Sequence, residues 1–112
     1  MIPKRVTRVG ETIRAEISNM ILRDIKDPRI GFVTITEVVM TPDLKVANVY
    51  FSQIGTEAER EESQHGLAKA SGFMRRELGR RLNLKYTPEI RFALDDSLET
   101  GDRISKLLKE IE

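Results

Sequence analysis

The stretch TEAEREESQHGLAKASGFMRRELGRRLNLK, residues 56–85, decides the fold. Thr56 with Glu59 three positions later fits a capping box, in which each side chain satisfies a backbone N–H of the other. It predicts a helix that starts near Glu57 and runs through Leu67 to Ala70. Ala70-Ser71-Gly72 then predicts a break, because glycine inside a helix costs roughly 1 kcal/mol relative to alanine. A small residue there implies a change of axis or a close backbone approach. In the second helix Met74, Leu78 and Leu82 fall on one face at steps of four, with Arg76 and Arg80 on the opposite side. Arg75 and Arg81 flank the apolar stripe, and Lys85 lies just beyond the helix. Cations gathered at a helix break suit a nucleic-acid backbone, since helix N-termini and basic side chains both favour phosphate. An ordinary solvated basic face is the plain alternative.

Upstream, Val6, Val9, Ile13, Ile17, Met20, Ile21 and Ile25 recur at steps of three and four, predicting a long amphipathic helix from about Pro3 to Lys26. Asp27-Pro28 ends it, because the residue before proline is pushed out of the α region. Residues 32–40 are rich in β-branched side chains and read as a strand. Val33 and Ile35 share one parity while Val38 and Met40 share the other, which a β-bulge near Glu37 reconciles. Thr41-Pro42-Asp43-Leu44 is a turn with proline at its second position. Ala47, Val49 and Phe51 then alternate with polar residues in a second strand, closing a hairpin. Downstream, Ile90, Phe92 and Leu94 mark a third strand, and Ile104, Leu107, Leu108 and Ile111 mark a C-terminal helix from about Asp102. The expected fold is α+β, a three-stranded sheet with helices packed on one face, forming a single domain over residues 1–112.

The totals narrow the function. A net charge of +1 means that any basic surface comes from segregation, and Lys4, Arg5 and Arg8 are basic and early while Lys69 opens a second basic region. These three and Lys69 join Arg75, Arg76, Arg80, Arg81 and Lys85 as candidate RNA contacts, with Ala70, Ser71 and Gly72 as the kink. Gly72 reads first as a packing glycine that lets two helices approach. No cysteine is present, so disulfides and thiolate metal sites are excluded. No apolar run approaches a membrane span and no secretory leader is visible, so a cytoplasmic protein is expected. No catalytic triad, nucleotide-binding loop or paired acids can be assembled, so no enzyme and no cofactor are expected. His65 reads as a solvent-exposed residue. Asp95, Asp96 and Glu99 would be the carboxylates of a metal-dependent nuclease, but read more simply as a helix-capping loop. Among the aromatics, Tyr50 is a candidate for stacking on a base.

Five local matches in order give the chain its resemblance: Arg8-Val9-Gly10-Glu11, Asp27-Pro28-Arg29-Ile30-Gly31, Thr41-Pro42-Asp43-Leu44, Ala70-Ser71-Gly72-Phe73-Met74-Arg75 and Thr87-Pro88-Glu89-Ile90-Arg91-Phe92. On these it resembles the bacterial ribosome-binding factor A family over nearly its whole length. The resemblance implies a type II KH-like fold in which the usual GXXG loop is replaced by an Ala-x-Gly kink, as at Ala70 to Gly72. It further implies a monomeric, non-enzymatic factor that binds the 30S subunit and 16S rRNA, acts in late 16S rRNA maturation and supports growth in the cold. Members of that family often carry a basic tail, whereas this chain stops at Glu112 and reads as a tail-less or trimmed member. The competing expectation is a KH-like module for another structured or single-stranded RNA.

Overall fold

The computed structural model describes residues 4–95, so the expected C-terminal helix, Asp96 and Glu99 fall outside it. The elements run α1 (Lys4–Arg23), β1 (Val33–Met40), β2 (Val46–Gln53), α2 (Glu57–Arg81) and β3 (Glu89–Leu94). The apolar positions of α1 bury Val6, Ile13, Ile17 and Met20. α1 ends at Arg23, short of the Lys26 that Asp27-Pro28 suggests. Asp24 and Ile25 both donate their N–H to the Met20 carbonyl, at 2.8 and 2.9 Å, which closes the last turn before the proline can act.

β1 and β2 are antiparallel, with Ile35 opposite Phe51, Val38 opposite Val49 and Met40 opposite Ala47. The register shifts between Ile35 and Glu37, so Thr36 is the extra residue of the expected bulge. That single insertion lets both Ile35 and Met40 point into the core. The Thr36 hydroxyl donates to the Asp95 carboxylate at 2.6 Å, and the Asp95 N–H donates to the Phe51 carbonyl at 2.6 Å. Asp95, offered above as a metal ligand, is thus a buried acceptor that ties the bulge to the end of β3. β3 runs parallel to β2, giving a mixed sheet in the order β1-β2-β3. Ile35, Ala47, Val49, Phe51 and Ile90 share one buried cluster with side chains of both helices, so α1 and α2 cover the same sheet face.

α2 starts as the sequence predicts. Thr56 N–H donates to Glu59 Oε1 at 3.0 Å and Glu59 N–H donates to Thr56 Oγ1 at 3.1 Å, a complete capping box. The break does not follow: instead of two helices separated at Ala70-Ser71-Gly72, one helix is continuous from Glu57 to Arg81. Leu67, Met74 and Leu78 are fully buried on one face that crosses the expected break. Burying three large side chains at about 1.5–3 kcal/mol each outweighs the glycine penalty of about 1 kcal/mol. The local trace of the Ala-Ser-Gly sequence is a Ser71 hydroxyl donating to the Ala68 carbonyl at 2.7 Å.

Candidate nucleic-acid interface

The cations singled out in the sequence divide into two groups. Lys69, Phe73, Arg76 and Arg80 follow one another at steps of four, three and four, and all are exposed, on the side of α2 opposite Leu67, Met74 and Leu78. Arg76 makes no hydrogen bond or ion pair among the described residues. Arg80 keeps 75% of its side chain exposed while bonding Glu77 at 2.6 Å. These three cations form an outward basic stripe, with Gly72 open beside it.

Arg75 and Arg81 are instead engaged inside the chain. Arg75 donates from Nε and Nη2 to the Thr87 carbonyl, at 3.3 and 3.1 Å, and so holds the loop that leads into β3. Arg81 donates to Asp24 at 2.9 Å, to Glu77 at 3.1 Å and to Glu16 at 3.4 Å. Asp24, then Glu16 and Glu77, raise its pKa further above the usual guanidinium value. It bridges the end of α2 to α1, where only its position beside the apolar stripe hinted at such a role. Lys4, Arg5 and Arg8 are exposed on the first turns of α1, and Arg5 meets Lys85 at a separate cavity.

Beside the stripe, Lys69, Ala70 and Phe73 border a shallow depression whose far wall is the loop carrying Lys26, Asp27 and Arg29. Arg29 grips Asp27 by both its backbone and its side chain: N–H to Oδ1 at 2.9 Å and Nε to Oδ1 at 3.0 Å. The Arg29 side-chain hydrogen bond is the main reason that the Asp27 carboxyl is lowered to about 2. A carboxyl depressed on folding contributes stability above its ordinary pKa of about 3.9 and loses it as pH falls through the folded value. Asp27→Asn should therefore lower the melting temperature near neutral pH. The difference from the parent should shrink between about pH 4 and pH 2, which thermal melts across that range check.

The same loop is held down on α2 by two small residues. Gly31 N–H donates to Ser63 Oγ at 3.1 Å, while a Cβ on Gly66 would stand 2.7 Å from Ile30 Cγ1. A Cβ added to Gly72 would meet nothing within 4 Å among the described residues, so within them it is not the packing glycine that the sequence suggested; Gly66 is. The sequence reading passed over Gly66 because no partner for it is visible without knowing that residues 27–31 return to α2. His65 is exposed as expected, and Tyr50 is half-buried in the sheet.

Two helices on one face of a mixed sheet, in the order helix, strand, strand, helix, strand, define the KH-like class of α+β fold. The family model for ribosome-binding factor A matches residues 5–108, and the chain is 50% identical over 109 residues to the ribosome-binding factor A of Halothermothrix orenii, across 97% of this chain and 89% of that one. The chain belongs to the ribosome-binding factor A family. A solution structure of a Thermotoga maritima protein described as a ribosome binding factor A superposes with a TM-score of 0.71 at 34% identity, covering 89% of this chain and 96% of that chain. The crystal structure of ribosome-binding factor A from Thermus thermophilus gives a TM-score of 0.70 at 21% identity, covering 80% and 94%. A homology model of the Thermus thermophilus factor, fitted into a cryo-EM map of a 30S–RbfA complex, gives 0.67 at 21% identity, covering 81% and 96%. Among the described residues no helix is long and apolar enough to cross a membrane, and no group of three His, Cys, Asp or Glu could hold a metal ion.

Proposed function

We propose that this chain is a monomeric, single-domain cytoplasmic assembly factor that binds the free 30S subunit through 16S rRNA. It promotes late 16S rRNA processing, including during growth in the cold. The observation that carries this reading is the stripe of Lys69, Arg76 and Arg80, turned away from the core in a chain of a ribosome-binding family. Three cations on one rigid helix match a phosphate backbone, and the neighbouring Gly72, where an added Cβ would meet nothing within 4 Å among the described residues, leaves room for a chain to approach α2 closely. No step of chemistry is needed. Preferential affinity for one rRNA conformation shifts its population, and affinity falls when maturation removes that conformation.

The relative whose fitted complex contains the 30S subunit favours this partner over the alternative, a KH-like module for unrelated RNA. Co-sedimentation with purified 30S and 50S subunits over a salt series tests the choice. Binding confined to 30S, weakening as salt rises, is expected. Equal retention on both subunits would favour the alternative.

A further inference from the structure

At the end of α2 the loop into β3 meets the first turn of α1 and the hairpin turn, and the three enclose a cavity of about 190 Å³. Val9, Leu44, Leu84 and Pro88 give it apolar walls. Arg5, Asp43, Lys85 and Tyr86 supply its polar groups, brought together from three separate parts of the chain. Its volume is below the roughly 300–1,000 Å³ of sites for drug-sized ligands and suits a single ring system.

Each polar group keeps binding capacity among the described residues: Asp43 has Oδ2 open, although its Oδ1 is engaged in the turn. Tyr86 is 67% exposed, and the Lys85 ammonium stands 5.6 Å from its ring centroid. Arg5 makes no ion pair among the described residues. Asp43 accepts from the Thr41 hydroxyl at 2.6 Å and from the Lys45 N–H at 3.0 Å, both through Oδ1. Those bonds, the hydroxyl first, hold its carboxyl below the usual range, so it is an anion at neutral pH. Next to it Leu44 sits at φ 62, a left-handed backbone that a non-glycine residue rarely adopts. Such strain persists only where packing imposes it, and Leu44 is packed against the core.

We propose that this cavity holds one unpaired guanine of a bound RNA, with its ring on Tyr86, its N–H edge on the Asp43 carboxylate and its flanking phosphates on Arg5 and Lys85. Guanine presents two adjacent N–H donors on its pairing edge, which can converge on the two open acceptor positions of Asp43 Oδ2, whereas uracil presents one. A carboxylate beside RNA repels phosphate unless cations flank it, as Arg5 and Lys85 do here. Arg75 fastens the loop that carries Lys85 and Tyr86 to α2 through the Thr87 carbonyl, which fixes that wall of the cavity against the helix. The inference rests on the RNA reading above and adds a base-specific contact to it.

The test titrates ¹⁵N-labelled protein with two RNA heptamers, all uridine and the same chain with one central guanosine, and reads the amide shifts of Leu44, Lys85 and Tyr86. The guanosine heptamer should bind about tenfold more tightly, the scale of one paired edge contact. Asp43→Asn, whose amide oxygen can still accept at the turn, should abolish that preference, so that the two heptamers bind alike. Tyr86→Ala should weaken both heptamers about tenfold through lost stacking. Unperturbed shifts in the sheet confirm that each variant is folded. Equal affinity for the two heptamers, a preference that survives Asp43→Asn, or full affinity in Tyr86→Ala would each overturn the guanine site. If 30S co-sedimentation persists in those cases the RNA reading stands without it; if the parent also fails to bind 30S, that reading falls as well.

Discussion

Arg76→Glu combined with Arg80→Glu is expected to lower affinity for the 30S subunit by roughly two to three orders of magnitude at low salt. Two phosphate contacts are lost and two repulsions take their place, and contacts of this kind are worth on the order of 1 kcal/mol each. The slope of log affinity against log salt should flatten by about 1.8, because each phosphate contact releases about 0.9 of a counterion. The fold should survive. Arg76 has no partner among the described residues, and the mostly buried Glu77, on losing Arg80, keeps its bond to Arg81 at 3.1 Å. Arg81 gives the contrasting outcome: Arg81→Gln removes the bridge to Glu16 and Asp24, so it should lower the melting temperature more than it lowers 30S binding. Sedimentation and thermal melts of both variants separate the two roles. If the double variant at Arg76 and Arg80 is folded and still sediments with 30S as the parent does, α2 is removed from the interface.

Opposite signs of stability change are expected at two glycines of α2. In Gly66→Ala the new methyl would fall 2.7 Å from Ile30 Cγ1 and 3.5 Å from Arg29 Cβ, so the loop must lift. Overpacking of that kind costs about 1–3 kcal/mol. In Gly72→Ala the new methyl meets nothing within 4 Å among the described residues and the backbone φ is not positive, so a gain in helix propensity of about 1 kcal/mol is expected. For a domain of this size that corresponds to a rise of roughly 4–8 °C in melting temperature. Among the described residues this glycine eases no contact, and under the proposed function it makes room for close approach of RNA. The more stable Gly72→Ala variant should accordingly bind 30S less well. Unimpaired binding would show that the exposed glycine has no bearing on the interface.

Local chemistry was legible. The capping box depends on residues three apart, and the bulge was readable from Ile35 and Met40, whose parities conflict unless one residue is inserted. Features that depend on what returns in space were not. Arg75, Arg76, Arg80 and Arg81 look alike in one dimension, yet Arg75 meets Thr87 and Arg81 meets α1, while Arg76 has no bonding partner among the described residues. The expected break at Gly72 weighed a local penalty without the buried side chains on either side of it. Tyr50 drew attention as an aromatic on the polar parity of a strand. Tyr86, more exposed and beside Lys85, lay in a loop whose neighbours Arg5 and Leu44 are distant in sequence.

The two ladders of the sheet also form on different schedules. Hairpin partners such as Met40 and Ala47 are separated by a short turn, whereas every β2–β3 pair is separated by the same long crossover, as from Val46 to Glu89. Each doubling of a closed loop adds only about 0.6 kcal/mol of entropy, but that cost precedes any contact it earns. During refolding or synthesis the hairpin can therefore zip early, while β3 waits for α2 to span the sheet. Arg75, bonded to Thr87 just ahead of β3, ties the basic helix to the segment that leads into that late-pairing strand. An incompletely folded chain would carry the same cations without the fixed spacing that this reading requires of them.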